Sequence, residues 1–142
     1  MSTNKILLAG LAGGVVYFLL GWLIYGMVLA SFMNGQSTPE GMAVMRPDEG
    51  MIFWAMIVGN IAGGMLLAVI FGRWANISTW QTGAMAGAVI AGLMAMSYDF
   101  LLYGTTNMMT LTGILVDIVV YAVMGAIAGA VVALVLGSGK KG

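Results

Sequence analysis

Cysteine and histidine are both absent from the 142 residues. Their absence excludes disulfides, thiolate chemistry, His-ligated haem and the ordinary zinc and copper sites, so no cofactor and no metal is expected. Charge is scarce too: five basic and five acidic residues make up 7% of the chain and cancel to a formal net charge of zero. Soluble domains carry about a quarter charged residues, which rules out a soluble core. The scattered basic residues leave no footprint for a nucleic acid. Proline occurs twice, at Pro39 and Pro47, both in one stretch.

What is present is apolar. Hydrophobic residues make up 61% of the chain, and 22 glycines are spread through it. Residues 6–33 run without a charge. As a helix they would measure about 40 Å, more than a ~30 Å hydrocarbon core requires. The run is also far longer than the apolar segment of a signal peptide. Further apolar runs cover 51–72, 79–104 and 108–137, and the only long loop is 34–50, which holds both prolines and three of the five acids. Pro47-Asp48-Glu49 suits a helix start, and Ser78-Thr79-Trp80-Gln81 has the pattern of a capping box. The expectation is an all-α, four-transmembrane-helix bundle in a single domain, 1–142, surrounded by lipid.

Lys5, Arg73, Lys140 and Lys141 fall on one side of such a topology, and Arg46 alone on the other. The positive-inside rule then puts both termini in the cytoplasm and folds the chain as two in–out–in helical hairpins. The halves resemble each other weakly. Trp22-Leu23-Ile24-Tyr25-Gly26 is echoed by Phe100-Leu101-Leu102-Tyr103-Gly104, and Gly64, Ala68 and Gly72 by Gly129, Ala133 and Gly137. A parallel internal duplication and the shared composition of glycine-rich helices account for this equally well.

Small residues recur at steps of four: Gly83, Gly87, Ala91 and Ala95 in the third run, Gly125, Gly129, Ala133 and Gly137 in the fourth, with Gly64 in the second. Where lipid supplies no hydrophobic drive between helices, small residues at this spacing let backbones approach closely. Each step turns about 40° on an ideal helix, so the pattern leaves open whether the contacts lie within one chain or between copies.

Asp99 and Asp117 each stand inside an apolar run, on either side of the Thr105-Thr106-Asn107 turn. A carboxyl at such depth is costly and marks a site by default. No Lys or Arg lies at that depth in the sequence, so the two are not expected both to be charged. Tyr103 and Tyr121 follow the aspartates by four residues, a spacing at which a tyrosine lies over the acid and can donate to it. Tyr98, Tyr17 and Asn60 are further polar-capable candidates at similar depth. Six methionines at the outer face (Met33, Met42, Met45, Met51, Met108 and Met109) would suit Cu(I). However, methionine is an ordinary apolar filler, and 14 are spread along the chain.

Two function classes stay open. The first is a structural or accessory subunit that self-assembles as a homo-oligomer or joins partner membrane subunits. The second is a small binding or transport protein that uses the Asp/Tyr cluster for a proton, a cation or a small polar ligand. Catalysis is not expected, since no nucleophile–base pair or phosphate-cradling loop accompanies the acids. The string Trp22-Leu23-Ile24-Tyr25-Gly26, the segment Ser97-Tyr98-Asp99-Phe100-Leu101-Leu102-Tyr103 and the later Leu115-Val116-Asp117 together give the chain a layout that resembles small four-helix membrane proteins of bacteria catalogued as domains of unknown function. That resemblance implies a bacterial inner-membrane location and no established activity.

Overall fold

The computed structural model describes residues 1–139. Lys140 and Lys141, on which the orientation reading partly rests, lie outside the described residues. The described chain is all-helical. Its elements are α1 (Thr3–Leu23) with a π-helical turn (Ile24–Val28), α2 (Ala30–Gln36), α3 (Pro39–Val44), a 3-10 turn (Asp48–Gly50), α4 (Phe53–Val69) with a second π-helical turn (Ile70–Ala75), α5 (Trp80–Thr105) and α6 (Leu111–Gly137). Four of these helical stretches, Thr3–Val28, Phe53–Ala75, Trp80–Thr105 and Leu111–Gly137, are long and apolar enough to cross a membrane.

The helix ends follow local chemistry. Ser2 caps α1 by accepting from the Lys5 amide at 3.3 Å, and Thr110 caps α6 by accepting from the Gly113 amide at 3.2 Å. The second π-helical turn stops at Asn76, whose φ of 52° lies in the left-handed region that asparagine tolerates. The capping box expected at Ser78–Gln81 does not form. Thr79 sits at the cap of α5 without a side-chain bond to the backbone, because its hydroxyl is engaged with that of Thr82 at 2.9 Å. At Pro47, Asp48 and Glu49 open only the 3-10 turn, and the long helix starts later, at Phe53.

The uncharged window 6–33 is divided in the structure. The Leu29 amide reaches back five residues to the Ile24 carbonyl, at 2.7 Å, and the chain bends there before α2. The bend lets α2 and α3 fold over the α5–α6 connection. The Thr110 amide donates to the Gln36 carbonyl at 2.9 Å and the Thr38 amide to the Met108 carbonyl at 3.0 Å, around an isolated antiparallel bridge between Ser37 and Met109. The stretch 34–50 is therefore a docked cap with backbone bonds of its own.

The main core lies among α1, α4 and α6, where Leu67, Phe71, Val132 and Leu136 are fully buried. Helix α1 packs against α4 and α6, whereas α5 packs almost entirely against α6. Glycines set both close pairs. A Cβ on Gly14 would stand 2.7 Å from the Ile61 Cα of α4, and one on Gly64 would strike the backbone of Gly10 and Gly14. In the other pair, a Cβ on Gly83 would come within 2.5 Å of the Gly129 carbonyl oxygen, and one on Gly125 within 2.5 Å of that of Gly87. The five candidate packing glycines thus all face a helix of the same chain. This also shows both pairs to be antiparallel, since rising numbers in one helix meet falling numbers in the other.

Leucine at Gly87 or Gly129 must therefore displace backbone, which cannot swing aside as a side chain would. Each replacement is expected to cost at least the ~1–3 kcal/mol of ordinary overpacking, read as a lowered melting temperature in detergent. Gly59, with nothing within 4 Å of its Cβ position, is the matched control, and Gly59→Leu should leave melting unchanged. Equal melting of all three variants would refute the seam.

Candidate functional site

Because α6 lies between α1 and α5, which hardly touch each other, a cleft is left above it. Its volume is about 430 Å³, and it is lined by Tyr25 from the π-helical turn after α1, Met94, Ala95, Tyr98 and Asp99 from α5, and Asp117 and Tyr121 from α6. Tyr98 and Met94 stand at the lip, 67% and 46% exposed. Both aspartates face the same space, one from each helix of the glycine-seamed pair.

Asp99 continues the small-residue ridge of α5 one step beyond Ala95 and is 6% exposed. Its Oδ2 is buried and receives no N–H or hydroxyl donor. Such an atom is unusual, because the desolvation penalty of a carboxyl oxygen is ordinarily offset by a donor. The carboxyl beside it is that of Asp117, close enough for the two acids to share a hydrogen bond through one proton. Asp117 is half-buried, and its Oδ1 accepts a hydrogen bond from the Tyr25 hydroxyl. That bond joins α1 to α6 across 92 residues of sequence.

The tyrosine spacing in the sequence predicts a different set of partners. Tyr121, four residues after Asp117, turns its ring onto Tyr17 of α1 instead, with centroids 5.7 Å apart and planes at 16°. Tyr17 itself is buried beneath that stack and does not line the cleft. Tyr103, four residues after Asp99, is 44% exposed and also lies outside the lining. Asn60 donates to the Met56 carbonyl of its own helix at 2.8 Å and stays away from the acids. The structure thus brings Tyr98, Asp99, Asp117 and Tyr121 together and leaves Tyr17, Tyr103 and Asn60 out of the lining.

Tyr25 is the participant that sequence reasoning noted only within the Trp22–Gly26 string and not among the candidate partners of the acids. An α-helix carries a residue eight positions on about 80° round from the first, so Tyr25 does not share the Tyr17 face on an ideal helix. The wide turn at Ile24–Val28 alters that advance, and π-helical turns of this kind are frequent at functional sites. An aromatic pair on one apolar run was the available signal, but it carried no information about the turn.

Among the described residues no group of three or more His, Cys, Asp or Glu side chains is arranged to hold a metal ion. Of the methionines singled out in the sequence, Met33 is buried, Met42, Met45 and Met51 are exposed, and Met109 packs beside Ile114 and Ile118. No family model matches the chain, and no curated protein or solved structure matches it either.

If the Tyr25–Asp117 bond ties α1 to α6, Tyr25→Phe should lower stability by the ~0.5–1.5 kcal/mol of a hydrogen bond between neutral groups, or about twice that if the acid is charged. Asp117→Asn keeps an acceptor for Tyr25 and should stay near wild type. Tyr103→Phe, at an exposed site, should fall within about 0.5 kcal/mol of wild type. Thermal unfolding of the three variants in one detergent decides this, and a Tyr25→Phe curve that overlays wild type would remove the bond from the account.

Proposed function

We propose that this chain is a multi-pass protein of the bacterial cytoplasmic membrane, with both termini in the cytoplasm, that binds a small cation or polar ligand in the Asp99/Asp117 cleft. The observation that carries the reading is a pair of adjoining carboxyls, Asp99 and Asp117, that line a cleft of about 430 Å³ with no basic side chain in its wall. As internal glue the pair would place two carboxyls together with one hydroxyl donor between them, a half-satisfied polar cluster that weakens a core rather than fixing it. The volume falls within the range of ordinary small-molecule sites.

The orientation rests on charge. Lys5 donates to the Ser138 carbonyl, and Arg73 Nη2 lies 2.5 Å from the Thr3 hydroxyl, so these two basic side chains gather at the end where the chain begins and α6 finishes. Lys140 and Lys141 follow directly in sequence, while Arg46 belongs to the stretch at the other end. An excess of Lys and Arg marks the cytoplasmic side, which makes the two hairpins in–out–in and puts the cleft in the outer half. The resemblance to small bacterial membrane proteins supports the choice of membrane. Glycine-to-backbone contacts recur in the α1–α4 and α5–α6 pairs, as a parallel duplication would leave them.

A second reading is a structural or accessory subunit that assembles with itself or with other membrane subunits. It is favoured by α5, which is held almost solely by α6 and turns Met85, Val89, Leu93 and Leu101 outward. The glycine ridges no longer argue for it, because they are occupied within the chain.

Native mass spectrometry of the gently extracted protein tests both readings. A retained small mass that disappears in Asp99→Asn supports binding. Oligomers or partner subunits with no small mass in either protein support the structural reading. The orientation is checked separately: a reporter fused after Lys141 should give a cytoplasmic signal and one inserted near Gln36 an external signal, and the reverse pattern would invert the assignment.

A further inference from the structure

Resting on the binding reading, the chemistry of the cleft narrows what it takes. We infer that the ligand is an organic ammonium ion with an aromatic or short hydrocarbon body, entering sideways between α1 and α5.

Sign comes first. The lining holds two carboxyls and no basic side chain. Lys5 and Arg73 are engaged at the far end, with Ser138 and Thr3. An anion would meet uncompensated repulsion in an apolar wall, where charge interactions are strongest.

Donor count comes second. Asp117 receives the Tyr25 hydroxyl, whereas Asp99 Oδ2 receives no N–H or hydroxyl and has only the Asp117 carboxyl with which to share a proton. Two carboxyls that share one proton still hold one negative charge with no basic side chain in the lining, and an ammonium N–H supplies that charge with both a hydrogen bond and a counterion.

Size and wall chemistry separate an organic cation from a metal ion. A space of about 430 Å³ equals the share of roughly a dozen waters. Calcium and magnesium sites instead close six or more oxygens around the ion. Two carboxyls fall short of such a shell, and no larger acidic or His/Cys cluster exists among the described residues. The rest of the wall is the rings of Tyr25, Tyr98 and Tyr121 with Met94 and Ala95. Aromatic faces attract ammonium groups through the ring quadrupole, and the same surfaces shelter a hydrocarbon body. A neutral alcohol would donate a hydrogen bond and pack its body on the rings but would bring no charge to the carboxyls or to the ring quadrupoles.

The route follows from packing. Helix α5 has little contact with α1 or α4, and the lip residues Tyr98 and Met94 are exposed on its flank. An amphiphilic amine concentrates at the lipid boundary, with its charge toward water and its body among the chains. A lateral opening suits such a ligand.

The test uses the full chain in lipid nanodiscs, titrated calorimetrically with 2-phenylethylamine, 2-phenylethanol, phenylacetate, sodium chloride and magnesium chloride. Matched titrations of empty nanodiscs subtract partitioning into lipid. Saturable binding of the amine alone, weakened at least tenfold in Asp99→Asn, is the expected result. Tyr98 is exposed enough to change without unfolding the bundle. Tyr98→Leu should weaken amine binding about 2- to 30-fold at unchanged melting temperature, and Tyr98→Phe should retain it. If 2-phenylethanol binds as well as the amine, or if sodium or magnesium competes with it, the ammonium assignment is overturned while the binding site stands. If no solute binds and Asp99→Asn behaves as wild type in every titration, the binding reading falls with it.

Discussion

Backbone contact between α5 and α6 is the constraint on which the rest of the molecule depends. Gly83 and Gly87 lie directly on Gly125 and Gly129, so close that a single Cβ would meet a carbonyl of the facing helix. This proximity gives dispersion contact along two whole backbones, the main attraction available where lipid is as apolar as the side chains. It commits α5 to one neighbour. Helix α6 is then shared, with α5 on one flank and the α1–α4 pair on the other, and the space above it between α1 and α5 is left unfilled. The cleft is a consequence of how tightly the seam closes.

The same seam sets the position of the acids. Asp99 stands on α5 at the next four-residue step after Ala91 and Ala95, on the ridge that carries Gly83 and Gly87, so the packing that buries the glycines also buries this carboxyl. Asp117 comes from the partner helix at the same end. Only one of the two receives a hydroxyl, from Tyr25 reaching across from the end of α1. Two adjoining carboxyls with a single hydroxyl donor and no cation between them distinguish this cluster from internal glue. Ala95, Ile114 and Ile118 form a small apolar cluster of their own beside it, which limits access of water from within the bundle and strengthens any charge interaction made in the cleft.

Much of the architecture was legible because it depends on local properties. Four apolar runs, small residues at steps of four and acids embedded in apolar helices are each visible in a short window of sequence. Where the local rule met a competitor, the expectation failed. Thr79 used its hydroxyl on Thr82 rather than on its own helix, and the window 6–33 was cut at Leu29 because α2 and α3 dock on residues 107–110. The pairing of each aspartate with the tyrosine four residues on was sterically sound for an isolated helix. It gave way because Tyr121 found an aromatic face on Tyr17, a contact between residues 104 positions apart in sequence.

The sequence by itself determined the class of this protein: all-helical, with four stretches able to cross a membrane, close-packed through glycine, and carrying two carboxyls where apolar side chains are the rule. Those features follow from composition and spacing, which are one-dimensional. Only the tertiary structure decided that the glycine ridges meet inside one chain, that Tyr25 rather than Tyr121 serves Asp117, and that Asp99 and Asp117 meet at one cleft. Each of these depends on the rotation and axial offset of one helix against another. A four-residue repeat winds about 40° per step and so presents several faces in turn, and the π-helical turn at Ile24–Val28 resets the face once more. No count of residues along the chain contains that information.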